Sequence, residues 1–539
     1  MWVPAPDAKR ASAWHADGSW GDDTIADCVA LSVAAYPDKR AVVDNKGASV
    51  TYRELDERAS RVAGWLSSKG VVKGDIVTVC LPNWVDTITI FFGILKLGAI
   101  INPVPVTYGE SDLAFVVEKC HSKALIVTDR FRSANYLEYV GRILPKLGHT
   151  PAVMVYAPGK HDVGAGWDEV MKTQPLTASK RACGADEPAA VLFTSGTESK
   201  PKGAVHTHNT ILFGERAMAS VLGATANDTA FMASPVSHAT GFLHGFAMTL
   251  MLGGTLSLLD VFKPEDAIAE LRKHKAMWTM GATPFLADIS RALAAEGGKL
   301  PDLQYFLCGG APVPEEVVKR AADSDIRVLS VYGSTESPPH TLVRPQDPLS
   351  NAWTSDGRAV PGVEIRIVSQ EGEEITGYEK DGEEWSRGPN TFVGYLDEPE
   401  LTAKALDDDG WVHSGDLARW REDGSIRIVG RIKELIIRGG QNISVREVEE
   451  YLMQIPGVRQ VAVVGIPHER LGETGCAIFV TDGASITLDD VQKHLIGAGV
   501  ARFKMPERVD VWTELPMTPS GKIQKYIIRQ KILQNGSPE

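Results

Sequence analysis

Between residues 304 and 336 the chain reads as strand, glycine turn, helix, strand and second glycine turn, an order compatible with few folds. Residues 304–308 form a short apolar run ending in Gly309, Gly310, Ala311 and Pro312. Residues 314–322 have helical character with proline at the start, and residues 326–331 form a second apolar run ending in Tyr332, Gly333, Ser334, Thr335 and Glu336. Such a unit makes its strands parallel and sets both glycine turns at one carboxyl edge of the sheet, where open α/β sheets bind ligands. Tyr332 can stack on a base there, Gly310 and Ala311 let the backbone approach its edge, and Glu336 can hold a magnesium ion with phosphate oxygens. Taken singly, Tyr332 reads as a core residue and Glu336 as a solvated one; together they point to a nucleotide.

The same alternation recurs upstream. Residues 74–81 read as a strand, 86–97 as a helix and 123–128 as another strand, so the fold class is α/β, with a large N-terminal domain of parallel-rich sheets and helices over residues 1–432. From about Glu434 the elements become shorter and mixed. Residues 435–438 read as a strand before Gly439 and Gly440; 444–447 form a capping box opening a helix through 452; 461–466, 476–480 and 509–512 are strands and 488–496 a helix. This predicts a small, mobile α+β C-terminal domain over residues 433–539, hinged at Lys433.

Charge and composition exclude several functions. The chain of 539 residues carries a net charge of −13, with an isoelectric point near 5.6, which argues against nucleic acid as a partner. Any anionic ligand must then be held by local positive groups. The six cysteines lie far apart without a Cys-x-x-Cys pair, which fits reduced thiols rather than disulfides or zinc. No apolar core stands in the first twenty residues, and the most apolar window, 88–95, is closed by Lys96 far short of a membrane span. A cytoplasmic protein with no transmembrane segment is expected.

Three more stretches carry chemistry. An apolar run delivers the backbone into Thr194, Ser195, Gly196, Thr197, Glu198, Ser199, Lys200, Pro201, Lys202 and Gly203, the composition of a loop that wraps phosphate oxygens. It is not a Walker A loop, because Lys202 precedes Gly203 and the chain continues as Ala204 and Val205. Asp416, after the tight Gly415, is a natural acceptor for a ribose diol. Near the C-terminus a helix is expected to start at about Gly521; Lys522 in its first turn opposes the macrodipole unless an anion sits there, whereas Lys525 and Lys531 read as solvated lysines. His206 and His208 look like a metal pair without a third ligand, and read better as the solvated start of a helix over 209–221.

With these motifs in order over nearly the whole length, the chain resembles the adenylate-forming superfamily of acyl-CoA synthetases, adenylation domains and luciferases. The run from Ser237 to Gly245, the Gly-Gly-Ala-Pro turn and Val331 to Ser337 look like the short- and medium-chain acyl-CoA synthetases and the cyclohexanecarboxylate-CoA ligases. By that resemblance Thr194 to Gly203 wraps the β- and γ-phosphates, with Thr194, Ser195, Gly196, Thr197 and Lys202 as contacts. Gly310, Ala311 and Pro312 with Tyr332 hold the adenine, Gly333 and Ser334 also bind ATP or AMP, Thr335 meets the α-phosphate region, and Thr197 and Glu336 bind Mg2+. Asp416 and Arg431 hold the ribose, Lys433 is the hinge, and Lys522 is the catalytic lysine of adenylation, acting with Thr335 and Glu336. His238, Gly241, Phe242 and Gly333 border the acid, and Gly439 and Gly440 line the pantetheine tunnel of coenzyme A. One departure is Ser199, where the family loop commonly has a glycine; a positive φ there would strain it.

The implied reaction joins a carboxylic acid to coenzyme A with ATP: the acid attacks the α-phosphate, pyrophosphate leaves, and the thiol displaces AMP from the acyl-AMP. Two alternatives share the motifs, a luciferase-like oxygenase and a stand-alone adenylation enzyme loading a carrier protein. The few residues given after Lys525 are not expected to hold a carrier domain, and Pro235 to His238 lacks the aspartate that amino-acid selectors usually present there. The oligomeric state, a homodimer included, stays open. Phe242, Leu243, Phe246 and Leu250, with Met280 to Phe285, read as an uncharged acid wall, and Ala239, Gly241, Gly281 and Ala282 are expected to leave it wide. A fatty acid of short to medium length, or an alicyclic or aromatic monocarboxylate, is the expected substrate.

Overall fold

The structure is a computed structural model that describes residues 1–177, 182–194, 201–378, 380–518 and 521–534. Two large sheets dominate. In the first, Arg40–Asp44, Thr255–Leu258, Thr229–Met232, Trp278–Gly281, Tyr305–Gly309 and Arg327–Tyr332 run parallel and adjacent in that spatial order, and short antiparallel strands close both edges. In the second, Pro188–Phe193, Ile100–Pro103, Ile76–Cys80, Ala124–Thr128 and Ala152–Tyr156 are parallel neighbours, and Gly203–Thr207 and Gly394–Tyr395 continue it antiparallel.

The apolar pattern explains the layering. Every residue of Ile76–Cys80 is buried, as a parallel strand covered on both faces requires. The helix Val85–Lys96 is buried at every position from Val85 to Leu95, so it is interior all round rather than amphipathic. Its Phe91 packs at 5.4 and 5.5 Å, ring to ring, against Phe242 and Phe246 from the other half of the core. Helix starts follow local chemistry: Thr24 with Asp27, and Thr51 with Glu54, form reciprocal capping boxes.

A third, antiparallel sheet of Glu364–Val368, Gly382–Arg387, Val412–Trp420 and Ile426–Arg431 stands against the edge at Tyr332, whose ring packs on its Ile367, Ala418 and Ile426 core. Beyond Arg431 the chain forms a separate α+β domain. Ile436–Arg438, Gln441–Ile443, Val458–His468 and Gly472–Thr481 are antiparallel, Arg508–Val511 joins Gly472–Thr481 in parallel, and Val445–Leu452, Leu488–Gly497 and Lys525–Gln534 cover the sheet. The strand, helix, strand unit expected at 304–336 is present as Tyr305–Gly309, Glu315–Asp323 and Arg327–Tyr332, with Pro314 capping the helix rather than opening it. No helix among the described residues is long and apolar enough to cross a membrane.

Candidate active site

The parallel strands Tyr305–Gly309 and Arg327–Tyr332 end side by side, so the turn Gly310, Ala311, Pro312 and the run Gly333 to Glu336 share one edge. Gly310 has φ +85°, a conformation glycine adopts without strain. Thr283, at the start of the helix Thr283–Glu296, donates its hydroxyl to the Pro312 carbonyl at 3.0 Å and so ties this turn to the Met280–Phe285 wall. Gly333 is tight: a Cβ there would lie 3.2 Å from the backbone of Pro339 and His340.

Tyr332 is held by the third sheet. Asp416 and Arg431 are register partners on adjacent antiparallel strands, and Arg431 Nε stands 2.7 Å from Asp416 Oδ1. The Tyr332 hydroxyl donates to Asp416 Oδ2 at 2.8 Å and lies 3.2 Å from Glu384 Oε2. Burial, then the charges of Asp416 and Glu384, raise the phenol's pKa far above its ordinary value, so it remains a donor. Glu384 is itself buried against His340, whose Nδ1 lies 3.0 Å away. Asp416 is thus fixed at both carboxylate oxygens, each of which keeps a further lone pair able to accept a hydrogen bond.

Glu336 receives the Tyr395 hydroxyl at 2.6 Å on one carboxylate oxygen, and its own carbonyl accepts from Phe392 N at 2.7 Å. The Lys202 ammonium lies 5.2 Å from the Tyr395 ring. Thr194 N donates to the Lys202 carbonyl at 2.9 Å, which holds these two residues together. Ser195, Gly196, Thr197 and Ser199 lie outside the described residues. The Thr335 carbonyl accepts from His206 Nε2 at 2.7 Å. Among the described residues one carboxylate oxygen of Glu336 has a hydrogen-bond partner, Tyr395, and a carboxylate is a ligand type that fits magnesium, which takes one or two of them together with phosphate oxygens.

Lys522 comes to this edge from the C-terminal domain. A Cβ at Gly310 would lie 2.9 Å from Lys522 Cε, so the lysine stem crosses the glycine where side-chain atoms would obstruct it. Gly521, at φ +83°, stands against Ala282, 3.2 Å from an added Cβ. Burial first, then the Arg431 charge, lower the pKa of Lys522, while Asp416 and Glu336 oppose the shift. His238 is near enough to feel Lys522. Its Nδ1 accepts from Thr240 N at 3.3 Å, and burial, then the charges of Lys522 and His244, push its pKa down to about 3. The imidazole is neutral.

Several expectations are corrected. Lys522 is not in a first helical turn: the helix is Lys525–Gln534, and Lys522 sits on a small hairpin before it, its N donating to Thr518 Oγ1 at 3.0 Å. The macrodipole argument therefore does not apply to it. Lys525 is no solvated lysine, since it pairs with Glu434 at 3.1 Å and Glu449 at 3.0 Å. His206 and His208 are fully buried rather than solvated; His208 Nδ1 accepts from Ile25 N at 3.2 Å. Ser444 caps its helix by accepting from Glu447 N, but Glu447 pairs with Lys504 instead of completing a box.

Of the residues expected to border the acid, Phe242 is wholly buried between Phe91 and Phe246. Gly241 and Gly281 leave no width: a Cβ at Gly241 would strike the Pro235 carbonyl, and one at Gly281 would meet Phe285 at 3.0 Å. The wall is not uncharged either, because Glu215 reaches His244 from a neighbouring helix. Gly439 and Gly440 form an exposed hairpin turn between Ile436–Arg438 and Gln441–Ile443, and Lys433 lies exposed in the short helix Ile432–Glu434. Sequence reasoning missed Tyr395, Glu384, His340 and Glu215. Each sits alone among unrelated neighbours in the chain, and only Glu215, a single acid in a largely apolar helical stretch, gave a readable signal.

An α/β edge built for a nucleotide, closed by a lysine from a second domain, defines an adenylate-forming enzyme. The AMP-binding enzyme family matches residues 29–396, and the C-terminal domain of AMP-binding enzymes matches 447–522; the chain belongs to this family. It is similar to a medium-chain fatty-acid–CoA ligase of Escherichia coli (strain K12), 42% identical over 98% of this chain and 93% of that one. A feruloyl-CoA synthase of Amycolatopsis sp is 31% identical over 93% of this chain and 99% of the relative. Among solved structures, ATP-bound MatB from Rhodopseudomonas palustris superposes with a TM-score of 0.84 at 28% identity, over 94% of this chain and 98% of that one. The protein is an AMP-forming acyl-CoA synthetase that uses ATP and coenzyme A, and the oxygenase and carrier-loading readings are not favoured.

Proposed function

We propose that this synthetase activates a monocarboxylic acid of medium length, or a compact ring carboxylate, and that its adenylation centre is Lys522, Thr335 and Glu336. The observation that carries the reading is the Lys522 stem laid across Gly310, at the edge where Asp416, Arg431, Tyr332 and Glu336 are already fixed. In adenylation the acid attacks the ATP α-phosphate and pyrophosphate departs. Lys522 would balance the negative charge that accumulates in transit, while the backbone of Gly310 to Pro312, with Tyr332, would hold the base, Gly333 and Ser334 would line the nucleotide, and Asp416 with Arg431 would hold the ribose. Thr194 to Thr197 and Lys202 would wrap the outer phosphates. Mg2+ would bind Glu336 and Thr197 and supply further charge neutralisation.

Thioester formation has no use for Lys522. Residues 433–539 would turn as a lid about Lys433, withdraw the lysine and bring Gly439 and Gly440 over the pantetheine path. We place the enzyme in the cytoplasm and leave a homodimer as one of its assembly states.

The E. coli relative's medium-chain name supports the substrate class. So does the neutral state of His238, which borders the acid with no charge to pair a second carboxylate. A panel of acids assayed by pyrophosphate release tests the reading. Each methylene should raise kcat/KM by up to about 0.8 kcal/mol equivalent until the site is filled, with a maximum between roughly C4 and C10 or at a six-membered ring carboxylate. A preference for acetate or a dicarboxylate would overturn it.

A further inference from the structure

The helix His208–Leu222 begins where the phosphate loop's return strand, Gly203–Thr207, ends. Along most of its length it is buried, and two adjacent residues face different parts of the site. Gly214 meets the nucleotide side: a Cβ there would stand 2.5 Å from the carbonyl of Pro338, two residues beyond Glu336. Glu215 meets the acid side, where its Oε2 lies 2.9 Å from His244 Nδ1, with the two side chains 1% and 5% exposed.

His244 belongs to Thr240–Met248, nine residues in π-helical winding, buried throughout from Gly241 to Met248. Phe242 and Phe246 on this segment both pack on Phe91. In winding of this kind, His244 lies on the opposite side from those rings, turned toward Glu215. A π-helix is rare and poorly bonded compared with an α-helix, and it occurs mostly at functional sites. Something must hold its register. Core packing resists slides through shape, and the hydrogen bond between Glu215 and His244 adds a directional constraint to it. A carboxylate this deeply buried costs stability unless paired, and two apolar side chains of similar volume would commonly serve stability as well or better. Stability alone therefore does not account for the pair.

We propose that Glu215 and His244 are positioning residues that determine acyl specificity: the pair locks the π-helical wall beside His238 to the helix carrying the phosphate-loop strand, and so sets which acids seat in line with ATP. The inference rests on the reading that His238 and Thr240–Met248 border the acid. His238 lies two residues before Thr240–Met248, and its Nδ1 accepts from Thr240 N at 3.3 Å, so the segment that carries His244 is tied to His238.

The test uses the full-length enzyme and the straight-chain acids from butanoate to dodecanoate, read as kcat/KM by pyrophosphate release. Glu215→Gln keeps shape and removes the charge. It should change the ratio of kcat/KM between the best acid and one four carbons longer or shorter by about tenfold or more, with the KM for ATP within about twofold. The double variant Glu215→Leu with His244→Leu removes both polar groups together and guards against a folding failure of the single change. It should keep the wild-type Tm yet retain the altered chain-length profile. A wild-type profile in the double variant, or a lowered Tm with an unchanged profile in Glu215→Gln, overturns the proposal and leaves the pair as core structure. A wild-type enzyme indifferent to chain length would overturn the acid-site reading itself, and the pair's role with it.

Discussion

Lys522 places a cation where the protein pulls in two directions. Burial and Arg431 disfavour its charge, while Asp416 and Glu336 favour it, and the net result is a pKa below the ordinary lysine value of 10.5. A site that leaves a cation under-compensated is ready for an anion, which a polyphosphate supplies. Lys522→Ala is expected to lower acyl-AMP formation by about 10²-fold or more, the scale of losing a principal charge stabiliser, while thioester formation from supplied acyl-AMP survives. Separate assays of pyrophosphate exchange and of thioester yield check this; equal losses in both would remove Lys522 from the adenylation step. The pH dependence has a definite sign. The ammonium form is lost as pH rises through the lowered pKa, so adenylation in the free enzyme should decline on the basic side below pH 10.5. In Lys522→Arg, whose charge persists, whatever activity remains should lose that decline.

At the scale of elements, the turn joining Ile436–Arg438 to Gln441–Ile443 carries Gly439 at φ +59° and Gly440 at φ +82°, the left-handed pair that a tight hairpin demands. Any side chain at Gly440 is strained by its backbone, by about 1–2 kcal/mol, although nothing lies within 4 Å of an added Cβ. Gly440→Ala and Gly440→Leu share that strain, so the difference between them reports volume alone. If the turn lines the pantetheine path after the lid moves, the leucine variant should lose about tenfold more thioesterification than the alanine variant, and both should keep a single turnover of pyrophosphate release. Matching rates in the two variants would place the path elsewhere. The elements themselves were largely legible, because period and punctuation mark them: the parallel unit from Tyr305 to Tyr332 follows from two apolar runs and two glycine turns. What lay hidden was contact between distant segments. Nothing near Tyr395 in the chain announces that it holds Glu336, and glycines at 241 and 281 look like spare room until the Pro235 carbonyl and the Phe285 ring are seen to fill it. Lys522 was found by its motif, and the helix argument offered for it fails because the helix begins three residues later, at Lys525.

At the scale of the whole molecule, the two domains are joined by charges as well as by chain. Asp356 and Arg427 of the large domain meet Arg446 and Glu450 on the C-terminal helix Val445–Leu452. Arg427 Nη2 lies 2.5 Å and Arg446 Nε 3.2 Å from Glu450 Oε1, and Arg446 also reaches Asp356 at 3.5 Å. Lys525, bound to Glu434 beside Lys433 and to Glu449, fixes the C-terminal helix to the proposed hinge. These pairs hold the C-terminal domain where Lys522 reaches Gly310, and a rotation about Lys433 would separate Arg446 from Asp356 and Glu450 from Arg427, which lie on opposite sides of that point. The network should therefore weight the balance between the two half-reactions. Arg446→Met keeps the aliphatic stem and removes one of the two guanidiniums, leaving Arg427 as the one cation shared by Asp356 and Glu450. It is expected to weaken the pose with Lys522 engaged by about 1.5–3 kcal/mol, the range for hydrogen bonds to charged groups. Adenylation should slow several-fold, while thioesterification from supplied acyl-AMP stays constant or quickens, because the lid leaves its first position more readily. Half-reaction rates measured at matched protein concentration decide the matter. An equal fall in both would mean that the variant has damaged the fold, and unchanged rates would mean that the network does not set the lid's position.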